Sequence, residues 1–523
     1  HSGDLIEWMD SDKGLFRFKS RKNELINVGG YKINPGEVES VIMQFDGVQQ
    51  AFVYGKPNSV LGKTHGFTSP SDKLNIAGVG VGGMGRGNLR NMSTENIVAL
   101  CDVDWRYAEK TFNDYPKAKK FKDWRVMFDE FGKSIDAILV ATPDHTHAGV
   151  TAHAITLGKH CYTQKPLTHS VYESRLLAKL AKKYKVATQM GNQGNSFDWC
   201  RQIAEWIQSG VIGEVYEVHC WTDRPIWPQG LMRPSDNPKC PKTLDWDLFI
   251  GPAQKRPYNP VYTPWNWRGW WDFGTGALGD MACHIMDPLY WTLDLKYPIS
   301  VIGSSTLSNL YSPPHAQIVT YTFPARPPKG NTKMPEVKVY WYDGGLMPPR
   351  PEELKDGQMM GDENGGIIFI GTKGKIMTGC YGMNPTLLPV SDMEHFNQPK
   401  PSIPRVKGGN GNIWSTNAHE QDWIRACKES PENRVESSSN FQFSGPFNEM
   451  VVMGVLAVRL SGLHGLHREL LWDGENMKFT NISPTDTIKI VTVDDFKVVD
   501  GDPRFDRRFA DFNALDVANE WIK

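Results

Sequence analysis

The stretch that decides the fold is Leu74–Met92, which reads LNIAGVGVGGMGRGNLRNM. It begins as a short apolar strand and continues into a helix, with Gly80, Gly82 and Gly85 in the spacing G-x-G-x-x-G. Such a turn needs glycine, because a side chain would keep the backbone away from a pyrophosphate and the helix away from the strand. The strand before the motif and the helix after it favour a dinucleotide site over an ordinary glycine-rich turn.

A second apolar strand follows, NIVALCDVD (Asn96–Asp104), and it ends in acidic residues. Asp102 lies about twenty residues after Gly80, which is the spacing of a ribose-binding carboxylate. A carboxylate at this place accepts hydrogen bonds from ribose hydroxyls and repels a 2′-phosphate. The sequence therefore predicts NAD as the cofactor rather than NADP.

Three further segments repeat the alternation of strand, loop and helix: IDAILVATPDHTHAG, HCYTQKP and VATQMGNQGN (residues 135–149, 160–166 and 186–195). The loops after parallel strands meet at one edge of the sheet, where ligands of α/β proteins bind. The predicted cofactor-binding residues are Gly80, Gly82, Gly83, Met84, Gly85, Asp102, Thr142, Pro143, His147, Lys165 and Gln193.

His145 and His147 suggest a metal site, but a zinc ion needs three or four converging ligands. No cysteine or histidine with suitable spacing lies nearby, and the eight cysteines include no C-x-x-C pair. We therefore expect no metal here, with one histidine beside the cofactor and the other bonded locally.

The stretch WNWRGWWDFGTGALGDMACHIMD (residues 265–287) carries the predicted chemistry. GTGALGD reads as a turn leading into a helix from about Asp280, and Asp280 and His284 share one face of that helix. With Lys165 they form an acid–base set: His284 as base, Asp280 to orient it, and Lys165 to polarise an alkoxide. The alternative is a structural His–Asp pair that caps a buried helix. Substrate-binding residues are predicted as Trp227, Trp265, Arg268, Asp280 and His284.

The ordered motifs GVGVGGMG, CDVD, ATPDHTH, QKP and GDMACHIMD resemble the Gfo/Idh/MocA oxidoreductases over residues 71–520. The resemblance implies a Rossmann domain, then an α/β domain whose large, mainly antiparallel sheet carries the substrate site. It also implies NAD(P) chemistry on sugars or cyclitols, with Lys165, Asp280 and His284 at the family's catalytic positions. Gln164 replaces the family's glutamate before the lysine, so the electrostatic tuning of that lysine differs here.

The first 63 residues have another character. SRKNELINVGGYKINPGEVE (residues 20–39) resembles the C-terminal subdomain of adenylate-forming enzymes, the acyl-CoA synthetase superfamily. Asn23 replaces that family's hinge acid, and its lysine-bearing tail and large adenylate-binding domain are missing. We therefore expect an engineered fusion. The predicted domains are this small α+β fragment (1–63), a linker (64–72), the Rossmann domain (73–192) and a substrate and oligomerisation domain (193–523).

Composition excludes several classes of function. The 58 Lys and Arg against 59 Asp and Glu give a net charge of −1, without the basic surplus of a nucleic-acid-binding protein. No apolar run reaches the length of a membrane span. We expect a carbohydrate substrate and a homodimer or homotetramer built on the open sheet face, as the family resemblance suggests. The compartment, bacterial cytoplasm or periplasm, stays open.

Two kinds of chemistry fit these motifs. The favoured one is an NAD-dependent oxidoreductase that moves hydride between nicotinamide and a ring hydroxyl of a sugar, sugar derivative or cyclitol. The alternative is an NAD-dependent glycoside hydrolase that works through a transient keto-sugar and recycles bound NAD. A non-catalytic sensor ranks last, because Lys165, Asp280 and His284 are all present.

Overall fold

The computed structural model describes residues 7–10, 15–17, 26–28, 31–33, 72–411, 415–463 and 468–523. In the N-terminal segment, two short antiparallel pairs are described: β1 (Glu7–Asp10) with β2 (Leu15–Arg17), and β3 (Ile26–Val28) with β4 (Tyr31–Ile33). The rest of the predicted α+β fragment and the predicted linker up to residue 71 lie outside the described residues.

A six-stranded sheet follows, built by strict alternation of strands and helices. The strands are short, and the apolar strand Ala137–Val140 is buried along its whole length, as expected when both faces of a parallel sheet are covered. The elements are β5 (Asn75–Val79), α1 (Gly83–Asn91), β6 (Asn96–Cys101), α2 (Trp105–Asp114), β7 (Lys119–Phe121), α3 (Trp124–Phe131), β8 (Ala137–Val140), α4 (His147–Thr156), β9 (His160–Thr163), α5 (Val171–Tyr184) and β10 (Thr188–Met190).

The order of this sheet is β10-β9-β8-β5-β6-β7, with parallel pairing of β6 with β7, β8 with β9 and β9 with β10. The chain starts in the middle, builds outward to one edge and then returns to build the other. This is the doubly wound Rossmann order, in which a crevice opens where the direction of building reverses.

The rest of the chain builds a nine-stranded sheet in the order β19-β18-β17-β11-β16-β13-β12-β20-β21. Among its described pairings only β11 with β16 is parallel. Its strands are β11 (Val215–Thr222), β12 (Ser300–Ser305), β13 (Gln317–Phe323), β16 (Val337–Asp343), β17 (Gly365–Gly371), β18 (Gly374–Gly379), β19 (Thr386–Leu388), β20 (Leu470–Asp473) and β21 (Lys478–Phe479).

Helices cover this sheet and connect it to the first one. The helices are α6 (Asp198–Gln208), α7 (Trp246–Ile250), α8 (Gly276–Ile285), α9 (Asp287–Thr292), α10 (Ala418–Cys427), α11 (Phe441–Arg459) and α12 (Ala514–Ile522). The long α11 is almost entirely buried and crosses β12 closely, since a Cβ at Gly303 would lie 2.1 Å from the Ala457 carbonyl oxygen. Two hairpins complete the fold, β14 (Arg326–Lys329) with β15 (Thr332–Met334) and β22 (Thr487–Val499) with β23 (Asp502–Asn513).

The observed architecture is the predicted one: a parallel Rossmann sheet, then an α/β part with a large, mainly antiparallel sheet. One boundary in the sequence interpretation was wrong. Helix α8 begins at Gly276, one turn before the Asp280 expected from the pattern, because the glycine-rich GTGALG resembles a turn. Within the described part of the chain, no helix has the length and apolar character needed to cross a membrane.

Candidate active site

A cavity of about 490 Å³ lies at the carboxyl ends of β5, β6, β8 and β9. One end is formed by the glycine loop after β5 and the acids after β6. The other end is formed by side chains of the second half of the chain, including α8. The residues that line the cavity include Gly80, Gly82, Gly83, Met84, Asp102, Thr142, Pro143, Gln164, Lys165, Arg224, Trp227, Trp265, Trp267, Arg268, Asp280, His284 and Tyr381.

The glycine loop makes close backbone contacts that only glycine permits. Gly80 has a φ of +76°, and a Cβ there would lie 2.6 Å from the backbone of Ala141. A Cβ at Gly85 would lie 2.0 Å from the Gly80 carbonyl oxygen, so this glycine lets α1 pack on the strand end. Gly82 and Gly83 leave the cavity wall without side chains. The loop thus has the open backbone that a pyrophosphate group requires.

Asp102 lines the cavity immediately after β6, and the backbone surrounds its carboxylate. One oxygen accepts from the backbone N–H groups of Val81 (2.9 Å) and Gly82 (3.2 Å), and the other from that of Asp104 (2.9 Å). Burial raises the pKa of Asp102 to about 6, against the opposing effect of these hydrogen bonds. The carboxylate thus holds the glycine loop in place through hydrogen bonds, and its contact with a ribose stays a prediction.

Thr142 and Pro143 line the cavity, but His147 and Gln193 are not among its lining residues. The His147 ring is buried between two loops, with Nδ1 2.7 Å from the Pro166 carbonyl oxygen and Nε2 2.8 Å from that of Thr142. Burial lowers the pKa of His147 to about 4. His147 therefore connects the loops after β8 and β9, and its contact with the cofactor stays a prediction.

The neighbouring His145 is also buried, and its Nε2 lies 3.1 Å from the carbonyl oxygens of Phe249 and Ile250. Within the residues that the structure describes, no group of three or more histidine, cysteine or acidic side chains could hold a metal ion.

Lys165, Asp280 and Arg268 form a compact cluster in the cavity wall. One carboxylate oxygen of Asp280 accepts from Lys165 Nζ at 2.7 Å and from Arg268 Nε at 2.9 Å. Lys165 also donates to the Asp280 carbonyl oxygen at 2.9 Å. Burial disfavours the charged form of Asp280, but the two cations outweigh it and hold the pKa of that carboxyl well below its usual range. Asp280 is therefore ionised and fixes the lysine.

His284 lies one turn further along α8 and lines the same cavity. Burial, together with the positive charge of Lys165, lowers the pKa of His284 well below its ordinary value. Its Nδ1 is buried without a hydrogen-bond partner among the described residues. A neutral imidazole in this position can accept a proton from a bound hydroxyl group.

Three tryptophan rings lie around Arg268 of this cluster. Trp227 and Trp265, which were predicted as substrate-binding residues, line the cavity together with Trp267. Trp270 and Trp271 belong instead to the buried core. The Trp-rich stretch therefore serves both the cavity wall and the core.

Tyr381 is a cavity residue that sequence reasoning missed. Its ring centroid lies 4.7 Å from that of His284, and its backbone has a φ of +63°. It comes from the turn after β18, about a hundred residues beyond α8, in a segment without a recognisable motif. Only the strand pairing of the large sheet brings it to the site.

Two segments of the chain match models of known protein families. Residues 74–192 match the family model described as the oxidoreductase family, NAD-binding Rossmann fold, and residues 203–308 match its C-terminal alpha/beta domain. These segments match the models of the two domains of the Gfo/Idh/MocA oxidoreductase family, and the first model describes an NAD-binding Rossmann fold.

Individual relatives are distant. Inositol 2-dehydrogenase of Azotobacter vinelandii is 28% identical over 153 residues, which cover 28% of this chain and 45% of that protein. The chain thus spans less than half the length of this curated relative. The crystal structure of the WlbA dehydrogenase from Chromobacterium violaceum, solved with NADH and UDP-GlcNAcA, superposes with a TM-score of 0.50 at 17% identity. It covers 77% of this chain and 97% of that chain, which shows a shared fold.

A third match has a different character. The long-chain-fatty-acid–CoA ligase of Salmonella typhimurium is 41% identical over 63 residues, 12% of this chain and 11% of the ligase. This agrees with the resemblance found in the N-terminal segment to adenylate-forming enzymes.

Proposed function

We propose that the chain is an NAD-dependent oxidoreductase acting on a ring hydroxyl group of a sugar, sugar derivative or cyclitol. The observation that carries the proposal is the cluster of Lys165 and Asp280, with His284 beside it, in the same cavity as the glycine loop. Dehydrogenases among the relatives support this class of reaction.

The residues at the glycine end fit NAD, since Gly80, Gly82 and Gly83 present open backbone and Asp102 lies beside them. When bound, NAD supplies the group that accepts or returns a hydride. The protein supplies the proton chemistry. His284 accepts the hydroxyl proton, and the Lys165 ammonium stabilises the negative charge that develops on that oxygen. Asp280 holds the ammonium in place through the hydrogen bond from Lys165 Nζ.

Replacing Lys165 by methionine tests the assignment, because methionine keeps much of the length and loses the charge. With NAD and a panel of sugars and inositols, we expect Lys165→Met to lower kcat at least about 100-fold. Calorimetry with NAD measures how much of this loss comes from weaker cofactor binding, since Lys165 is also a predicted cofactor-binding residue. The matched control is Lys179→Met on the exposed side of α5. Full turnover in Lys165→Met would overturn the catalytic role.

The same assay separates the two kinds of chemistry. Net NADH formation that follows substrate consumption supports a dehydrogenase. Release of the aglycone from a glycoside without net NADH would instead support the redox-neutral hydrolase, in which NAD is recycled. The aromatic wall of Trp227, Trp265 and Trp267 suits a sugar ring in either case.

We also propose a homodimer or homotetramer that uses the open face of the nine-stranded sheet. Light scattering would test this state through the molar mass.

We propose that the N-terminal segment is a fusion, with domain boundaries near residues 63, 72 and 192. A chain that lacks residues 1–63 should then keep its NAD affinity and turnover.

A further inference from the structure

The substrate end of the cavity carries an excess of positive charge. Three cations line it, Lys165, Arg224 and Arg268, and one ionised carboxylate, Asp280, lies among them. Asp280 is shared between Lys165 and Arg268, so a single negative charge faces two positive ones. Arg224 forms its own pair with Asp223. One positive charge is therefore left without a partner charge at this end of the cavity.

Other titratable groups nearby do not remove this excess. Asp144 lies close by, with one oxygen accepting from Thr275 Oγ1 at 2.8 Å, and burial raises its pKa to about 7. At neutral pH it therefore supplies only part of a negative charge. His284 is neutral, and burial raises the pKa of the Tyr381 hydroxyl, so that it is neutral too. The remaining acids of the lining, Asp102 and Asp104, belong to the nucleotide end.

Arg268 is held in a fixed orientation. Its guanidinium lies over the rings of Trp265 and Trp267, 4.4 and 4.2 Å from their centroids. Its Nε donates to Asp280 at 2.9 Å, and Nη1 makes only a long contact, 3.4 Å, with the Trp265 carbonyl oxygen. Across the described ranges, Nη2 has no acceptor within hydrogen-bond distance. The outer edge of the guanidinium is thus free to donate.

An unbalanced cation among largely buried side chains favours an anionic ligand, because charges interact more strongly away from bulk water. A planar guanidinium edge matches the two oxygens of a carboxylate. One carboxylate also supplies the single negative charge that the cluster lacks, whereas a phosphate dianion would exceed it.

We infer that the substrate is an acidic sugar, a ring that carries a carboxylate, and that Arg268 recognises this carboxylate while Lys165 and His284 act on a ring hydroxyl. The inference rests on the proposed function and narrows its substrate class. Arg268 is then the residue that determines specificity, in addition to holding Asp280.

Calorimetry on the protein loaded with NADH tests the inference without turnover, because NADH cannot accept a hydride from the sugar. The probes are glucuronate, galacturonate and mannuronate, each beside its neutral hexose and its uronamide, which keeps the shape and loses the charge. We expect at least one acid to bind ten-fold or more tighter than both neutral partners. Arg268→Gln should reduce that preference at least ten-fold, and Arg504→Gln, an exposed arginine of β23, should leave it unchanged.

The outcomes distinguish the two proposals. If no acid binds more tightly than its hexose, or if Arg268→Gln keeps the preference, the inference is wrong, and oxidation of a neutral sugar would leave the proposed function standing. If the acid preference is present and depends on Arg268 but no NADH forms with any sugar, the inference stands and the proposed oxidation is wrong.

Discussion

Asp343, the last residue of β16, is fully buried away from the cavity. One of its oxygens accepts from Trp341 Nε1 at 2.8 Å and from Gln317 Nε2 at 2.7 Å. The other oxygen has no partner among the described residues. Burial outweighs these hydrogen bonds and raises the pKa of Asp343 from 3.8 to about 7. The folded protein therefore favours the protonated acid.

The raised pKa of Asp343 predicts that the free energy of unfolding falls as the pH rises. A carboxyl group whose pKa is raised by folding stabilises the protein below its unfolded pKa, and the stabilisation is lost as the pH rises towards the folded pKa. We expect the ionisation of Asp343 to lower the free energy of unfolding by about 2 to 3 kcal/mol as the pH rises from 5 to 8. Urea unfolding of wild type and Asp343→Asn at both pH values measures the difference.

The asparagine variant cannot titrate, so its unfolding free energy should fall less between the two pH values than that of wild type. An equal fall in both proteins would show that Asp343 is ionised in the folded state throughout. Asp129→Asn, at an exposed position of α3, is the control and should follow wild type.

At the residue scale, sequence reasoning identified three residues that lie together, but not their complete surroundings. Lys165, Asp280 and His284 follow from ordered motifs, and the structure brings all three to one cavity. The contacts of the His147 ring with two carbonyl oxygens had no local signal in the sequence. Tyr381 had no local signal, since its position depends on strand pairing.

Three elements meet through a chain of buried amides. Gln164, after β9, donates to Asn88 Oδ1 at 2.8 Å, and Asn88 on α1 donates to Glu420 at 2.8 Å. Asn91 donates to the same Glu420 oxygen at 3.1 Å. Gln164 occupies the position at which the family resemblance implies a glutamate. Helix α10 thus provides a carboxylate one amide away from the lysine loop, and links that loop to the nucleotide-binding helix.

Asn88→Ala should break this connection. The variant removes the acceptor of Gln164 and one donor to the buried Glu420, so we expect a loss of about 2 to 4 kcal/mol in unfolding free energy. NAD affinity should fall as well, because α1 follows the glycine loop directly. Urea unfolding and calorimetry measure the two effects.

The control for this prediction is Asn113→Ala, an exposed asparagine on α2. It should leave both quantities near wild type. If Asn88→Ala behaved like Asn113→Ala, the amide chain would have no energetic role.

Elements were predictable where the pattern was local. The alternation from β5 to β10 follows from short apolar runs separated by amphipathic helices, and the structure has it. The start of α8 was misplaced because glycine has low helix propensity, while tertiary packing accepts Gly276 and Gly279. The order of the large sheet has no local signal, since β12 pairs with β20 through Val301 and Leu470.

At the scale of the whole molecule, ligand binding is measured by its effect on the stability of the folded protein. A ligand that binds only the folded state raises the unfolding free energy, by about 2.7 kcal/mol at a hundred times its Kd. The Asp102 carboxylate lies at the nucleotide end of the cavity, where it would oppose a 2′-phosphate. NAD should therefore stabilise the protein more than NADP at equal concentration.

Thermal unfolding with NAD, with NADP and without nucleotide measures this difference. Asp102→Asn keeps the shape and removes the charge, so the shifts produced by the two nucleotides should become more alike than in wild type, while the Asp129→Asn variant keeps the wild-type difference. Equal shifts in wild type would contradict the assignment of Asp102 as the residue that selects NAD. Because the carboxylate also braces the glycine loop through Val81 and Gly82, the asparagine variant should in addition unfold at a lower temperature without nucleotide. The nucleotide-dependent part of the shift separates selection from this structural role.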